Sequence, residues 1–276
     1  MYTTLISVNE LAAKLDDDNW VIVDCSFALG DTEAGRAHYE AHHIPGAVYA
    51  HLDEDLSGPP VTDAGRHPLP TPEAMRATFG RWGIGPQTQV VAYDNRNGVY
   101  AARLWWMLRY MGHEAVAVLD GGWAAWETAV LPAASGSESN SFVTFVGEPR
   151  CDWLVQVAEV PNATLLVDSR AAPRYRGEVE PLDKQAGHIP GAKKFDFSQH
   201  WENGRYKTAA AMKAQLEALL GNMAADETTF YCGSGVSACV NLLALHHAGL
   251  GNGRLYVGSW SEWSSDLARP MATGEE

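Results

Sequence analysis

Apolar residues in this 276-residue chain fall into short unbroken runs separated by longer stretches of helical spacing. In the first half the runs at 20–26, 47–50, 89–94 and 115–119 read as strands; in the second, those at 164–169, 192–195, 228–232 and 254–257. These runs are apolar throughout rather than at alternate positions. That suits strands buried on both faces, and hence mainly parallel sheets flanked by helices. Helical spacing is found at 8–15, 71–82, 100–111, 209–220 and 236–248. The pattern predicts an α/β fold. Ligands of parallel sheets bind beyond the carboxyl ends of the strands, so the residues after Tyr93 and Tyr231 are where chemistry is expected.

The pattern also repeats. Residues 43–47 and 188–192 both read His-Ile-Pro-Gly-Ala. Upstream, Val21-Ile-Val-Asp24 matches Leu165-Leu-Val-Asp168; downstream, Gly121-Gly-Trp123 matches Gly258-Ser-Trp260. Three collinear matches at nearly constant spacing imply duplication. Residues 131–140 are small and polar and begin beside a proline, as an exposed linker would. The expected organisation is a first domain at 1–135, a linker at 136–149 and a second domain at 150–276.

Acidic residues outnumber basic ones, 34 to 20, for a net charge of −14. A nucleic-acid or anionic-membrane binder would work against that repulsion, whereas a small anion in a local basic pocket would not. The four cysteines include no Cys-x-x-Cys pair, which excludes zinc-ribbon and thioredoxin-type spacing. His246 and His247 are neighbours on a predicted helix and point about 100° apart, a poor pair for a metal. The first twenty residues lack the basic and apolar regions of a signal peptide, so the expected location is the cytoplasm. Residues 228–253 carry no Asp, Glu, Lys or Arg, yet Asn241, two histidines and several glycines argue against a membrane span.

One loop carries a nucleophile. After the run ending at Tyr231 comes Cys232-Gly-Ser-Gly-Val-Ser-Ala238, followed by an apolar helix. Loop N–H groups and the helix macrodipole there favour thiolate over thiol, and Gly233 and Gly235 permit a tight turn. A polar loop of this kind is expected to be accessible. Cys25 and Cys239 read as buried structural residues. In the first half the same place is held by Asp94, in Asp94-Asn-Arg-Asn-Gly98, which is no nucleophile; that copy reads as structural. A Cys-x5-Arg phosphatase loop would need arginine at position 238, which is Ala238.

Two His-Ile-Pro-Gly-Ala segments, the Cys232 loop and the Gly-Ser-Trp-x-x-Trp tail together resemble tandem-domain rhodanese-type sulfurtransferases over essentially the whole chain. The loop wording resembles 3-mercaptopyruvate enzymes more than thiosulfate enzymes, with Ser237 where the family commonly has Thr. The resemblance implies two rhodanese-like domains, the first lacking the catalytic cysteine. It also implies a persulfide on Cys232 held by loop N–H groups from Gly233 through Gly235, Val236 and Ser237 to Ala238. It supplies Ser234, His67 and Asp53 as a proton-handling group, and Arg176 as the carboxylate ligand. Arg174 reads as a surface ion-pair residue. Family members often carry a second arginine before the second His-Ile-Pro-Gly; in Glu180-Pro-Leu-Asp-Lys-Gln-Ala-Gly187 only Lys184 can stand in. No metal or organic cofactor is implied. The expected partners are a small anionic sulfur donor and an acceptor: cyanide, a small thiol or a thioredoxin-like protein. Thiosulfate as donor, or a non-catalytic binding module, are the alternatives.

Overall fold

The computed structural model describes residues 1–275. The chain divides into two compact units, one comprising 1–58, 70–150 and 203–206, the other 59–69, 151–202 and 207 onward.

The first unit holds a five-stranded sheet in the order β1-β5-β4-β2-β3. Its strands are β1 (Leu5–Ile6), β2 (Trp20–Asp24), β3 (Val48–Tyr49), β4 (Gln89–Tyr93) and β5 (Val116–Leu119). All pair in parallel. Around it lie α1 (Val8–Ala12), α2 (Ala34–Ala41), α3 (Pro72–Arg81), α4 (Val99–Tyr110) and α5 (Gly122–Thr128). Every residue of β4 is buried, as is every residue of α4 after Val99, which explains why both read as unbroken apolar runs. The β1 strand and the polar α2 helix escape the periodicity argument: one is two residues long, and the other presents only Gly35 and Tyr39 to the core.

The second unit repeats the plan with β6 (Leu165–Asp168), β7 (Lys193–Lys194), β8 (Thr228–Tyr231) and β9 (Arg254–Leu255). The four strands are parallel in the order β9-β8-β6-β7. Its helices are α6 (Ala172–Tyr175), α7 (Ala209–Leu220), α8 (Ala238–His247) and α9 (Ser259–Trp263). A single parallel bridge, Leu154 to Leu255, stands where β1 pairs with β5 in the first unit.

The duplication extends to individual hydrogen bonds. His43 Nδ1 bonds the Tyr39 carbonyl at 2.7 Å and His188 Nδ1 bonds the Tyr175 carbonyl at 2.7 Å. The hydroxyls of Tyr93 and Tyr231 each accept the N–H of the isoleucine next to that histidine, Ile44 and Ile189 respectively, at 3.1 Å. The His-Ile-Pro-Gly-Ala segments are thus fixed to the central strand of each sheet. No described helix is long and apolar enough to cross a membrane.

Two features depart from the expected boundaries. Residues 59–69, from the N-terminal half, fold as part of the second unit, and 203–206 as part of the first, where the Tyr206 N–H bonds Asp120 at 2.8 Å. The expected linker at 136–149 is laid along the first unit. The Glu138 N–H bonds the Tyr39 hydroxyl, Asn140 Nδ2 bonds the Trp82 carbonyl, and the Val143 N–H bonds the Gly80 carbonyl. Phe145 is buried against Phe79. Its small polar start hid these later anchors.

The two copies differ at the acid that ends the strand beside the central tyrosine. Asp168 is held by Arg170, with Nη2 to Oδ2 at 2.6 Å. In the first unit Ser26 stands where that arginine would be, and burial drives the Asp24 carboxyl up to about 6, against the pull of hydrogen bonds from Ser26 and Tyr93. A carboxyl raised in the folded state stabilises most while protonated, and that contribution is lost as pH climbs from the unfolded value through about 6. Asp24→Asn keeps the acceptor for the Ser26 N–H and removes the ionisation. Its stability relative to the parent is expected to rise by roughly 1–2 kcal/mol between pH 5 and pH 7.5, measured by urea midpoints. A pH-independent difference between the two would contradict the assignment.

Candidate active site

Cys232 leaves the carboxyl end of β8, and residues 232–237 turn directly into α8. Desolvation raises the thiol pKa. The Ser237 hydroxyl and the N–H groups of Ser234, Ala238 and Gly235 donate to the sulfur, outweigh the burial and hold the thiol below its ordinary value. The loop needs its glycines for close approach. Gly235 has φ +76°, and a Cβ there would collide with the Val257 carbonyl.

The loop's other backbone groups are occupied by the Gly-Ser-Trp segment. The Cys232 carbonyl accepts the Trp260 N–H at 3.0 Å, and the Gly233 carbonyl accepts the Ser261 N–H at 2.9 Å. The Cys232 N–H donates to Ser259 Oγ at 3.1 Å. Ser259 is buried at φ +56°, a left-handed conformation that costs a non-glycine residue about 1–3 kcal/mol. Gly122 holds the matching place in the first unit at φ +54°. Ser259 was missed from sequence, although the mismatch of Gly-Ser-Trp against Gly-Gly-Trp marks it.

Ser234 and His67 are brought together: Oγ lies 2.7 Å from His67 Nδ1, and both residues are buried. Residues 59–69 are seated by the Arg66 N–H on Ser261 Oγ at 3.1 Å. Gly65, at φ +86°, packs so closely that a Cβ would lie 2.7 Å from the Gly258 carbonyl. Asp53 belongs to the first unit, where its N–H bonds His51 Nδ1 at 3.2 Å and partial burial raises its carboxyl pKa.

Positive charge beside the Cys232 loop comes from residues that sequence reasoning did not choose. A Cβ on Gly233 would lie 3.0 Å from an Arg66 guanidinium nitrogen and 3.4 Å from one of Arg174. Arg66 is lowered in pKa by burial and by repulsion from Arg174, opposed by attraction to Cys232 and Glu180. Arg176, expected to be the carboxylate ligand, is instead held by Glu178 at 2.6 Å and Glu275 at 3.1 Å near the surface. The helical turn of α6 gives arginines 174 and 176 different directions, and Arg174 is the one that faces the loop. Arg66 was legible as the neighbour of His67, but nothing local connects residues 65–67 to position 233. Lys184 lines a surface groove with Arg66, Leu182, Asp183, Ser261 and Ser265.

Cys232 itself is only 1% exposed, so the expected open loop is a covered one. Of the other cysteines, Cys25 and Cys239 are buried as expected, and burial pushes the Cys25 thiol well up. Cys239 Sγ bonds the Gly235 carbonyl at 3.4 Å. Cys151 is exposed.

The first unit has the same cradle with a different side chain in it. Asp94 Oδ1 accepts the N–H groups of Arg96 and Gly98 at 2.7 and 2.8 Å. Its Oδ2 accepts those of Tyr100 and Ala101 at 2.7 and 3.0 Å. The carboxylate fills the position that sulfur occupies in the second unit.

The sequence profile of the rhodanese-like domain matches residues 7–129 and 151–266. The chain belongs to the rhodanese-like family. Among curated rhodanese-like relatives, a probable 3-mercaptopyruvate sulfurtransferase from Pseudomonas aeruginosa is 44% identical, with 98% of each chain aligned. A putative thiosulfate sulfurtransferase from Mycobacterium tuberculosis is 39% identical, over 98% of this chain and 97% of the relative. The solved 3-mercaptopyruvate sulfurtransferase of Leishmania major superposes with a TM-score of 0.87 at 30% identity, covering 98% of this chain and 76% of that one.

The hydroxyl of Ser237 donates to the sulfur in a charge-assisted bond, which removal weakens by about 1.5–3 kcal/mol, or roughly one to two pKa units. In Ser237→Ala, alkylation of Cys232 by iodoacetamide at pH 7 is expected to slow about tenfold and to recover at alkaline pH. Equal rates across the pH range would contradict a hydroxyl aimed at the thiolate.

Proposed function

We propose that the chain is a sulfurtransferase that takes sulfur from 3-mercaptopyruvate onto Cys232 and passes it to cyanide or a thiol. The observation that carries this reading is the buried sulfur held by four donors, with two guanidinium groups beside the next residue. The Cys232 thiolate attacks the donor sulfur, the carbon–sulfur bond breaks, and its electron pair departs as the enolate of pyruvate. The donor's thiol proton passes to the enolate carbon, leaving pyruvate and a persulfide anion. Loop N–H groups that stabilise the thiolate can also hold the outer sulfur. An acceptor thiolate or cyanide then attacks that sulfur, the sulfur–sulfur bond breaks, and Cys232 returns as thiolate. No step requires a metal or cofactor.

The Ser234–His67 pair supports mercaptopyruvate as donor, because only that donor needs a proton carried to carbon. Arg174 and Arg66 take over the carboxylate role expected of Arg176, and Lys184 adds positive charge along the groove. Thiosulfate is the second reading, supported by the same guanidinium pair and by the Mycobacterium relative. A pure binding module would have no use for an activated thiol. The proposed acceptor class is a small thiol or a thioredoxin-like protein, and the proposed setting is the cytoplasm.

Intact mass spectrometry after incubation with 3-mercaptopyruvate is expected to show the protein heavier by one sulfur atom, and Cys232→Ala unchanged. An unmodified parent protein would remove the proposal. Ser234→Ala is expected to lose about 100-fold in mercaptopyruvate turnover and far less with thiosulfate. Equal losses with the two donors would rule out proton handling by that hydroxyl.

A further inference from the structure

The two guanidinium groups beside the Cys232 loop are already occupied. Asp183 Oδ1 bonds the Arg66 guanidinium, and its Oδ2 lies 3.3 Å from Arg174 Nη2. The Asp183 side chain is 5% exposed, against 29% for Arg66 and 19% for Arg174. This carboxylate bridges two cations as a ligand carboxylate would.

Its neighbour Glu180 behaves differently. Glu180 accepts from Arg174 at 2.6 Å and from Arg170 at 3.3 Å, and also takes the N–H groups of Leu182 and Asp183 at 3.1 Å each. Glu180 is therefore built into the turn. The segment around it is pinned further along, where Gln185 Nε2 bonds the Ser264 carbonyl and Arg170 Nη2 bonds the Gly187 carbonyl. Asp183 sits between these anchors with its side-chain bonds directed at the two guanidiniums. The groove lined by Lys184, Ser261 and Ser265 reaches Arg66 and Asp183 from the surface.

We propose that Asp183 is a built-in competitor for the donor's carboxylate, occupying the Arg66–Arg174 pair until an anionic donor displaces it. The proposal rests on the donor assignment above only for the identity of the displacing anion. Exchange of one carboxylate for another keeps a carboxylate on Arg66 and a second one beside Glu180 on Arg174, which avoids the cost of stranding a charge. It also makes Arg66, contributed by residues 59–69, the second guanidinium that the 180–187 segment lacks. Asp183 thereby sets a threshold: a donor must bring an anionic group that competes for both arginines, and a neutral thiol reagent gains nothing from the pair.

Two alkylating reagents of similar size and opposite character test this. Rates of Cys232 modification are followed by peptide mapping, in a Cys151→Ser background, with anionic iodoacetate and neutral iodoacetamide. Asp183→Asn keeps the shape and removes the charge. It is expected to speed iodoacetate about tenfold and iodoacetamide less than twofold. Arg66→Gln is expected to lower the ratio of iodoacetate to iodoacetamide rates, and Asp183→Glu to retain the parent ratio. In turnover, Asp183→Asn is expected to lower KM for 3-mercaptopyruvate with kcat little changed. Equal acceleration by both reagents would mean that Asp183 only holds the segment closed, and unchanged iodoacetate rates would mean that it does not compete; either overturns the proposal. If Asp183→Asn does not fold, an unchanged reagent ratio in Arg66→Gln overturns it as well. A ratio that shifts as expected in a protein that never gains sulfur would sink the sulfurtransferase reading and leave this one standing.

Discussion

The convergence of backbone N–H groups on one point past the central strand is the constraint on which the rest of each unit depends. A buried anion is costly unless donors are fixed in advance to receive it. A strand-to-helix turn with glycine in the left-handed region provides such donors without side-chain charge. Much of the surrounding structure serves to keep that turn in place. The Gly-Ser-Trp segment takes the loop's outward carbonyls, and Ser259 accepts a strained conformation to hold the Cys232 N–H.

Duplication shows what the cradle does once its contents change. In the first unit Asp94 satisfies four N–H groups with its own two oxygens and closes the loop upon itself. In the second, one sulfur takes the same place, and its thiol is held below the ordinary value. Companion changes follow the charge. Arg170 neutralises Asp168, where Asp24 has only Ser26 and Tyr93, and Ser259 replaces Gly122. The guanidiniums of Arg66 and Arg174 lie beside this loop, and Asp183 bridges the two.

The sheets, their parallel sense and the special position of residue 232 were legible because buried strands write unbroken apolar runs and duplicated motifs repeat in order. Ser234 and His67 were paired by resemblance, and the structure places their polar atoms in contact. Which arginine faces the Cys232 loop was not legible, for a physical reason. Positions 174 and 176 lie within one helical turn, and only coordinates tell which faces the loop. The burial of Cys232 was also invisible, since the arginines beside its loop come from positions 66 and 174, and the acids paired with them, Glu180 and Asp183, lie in a segment that reads as surface.

The most direct measurement of the central claim is the ultraviolet absorbance of thiolate as a function of pH, taken as the difference between the parent protein and Cys232→Ser. Absorbance belonging to Cys232 should grow in with a midpoint below the ordinary cysteine value of about 8.5. A midpoint at or above that value would mean that burial outweighs the donors, and the nucleophile proposed for this site would not exist.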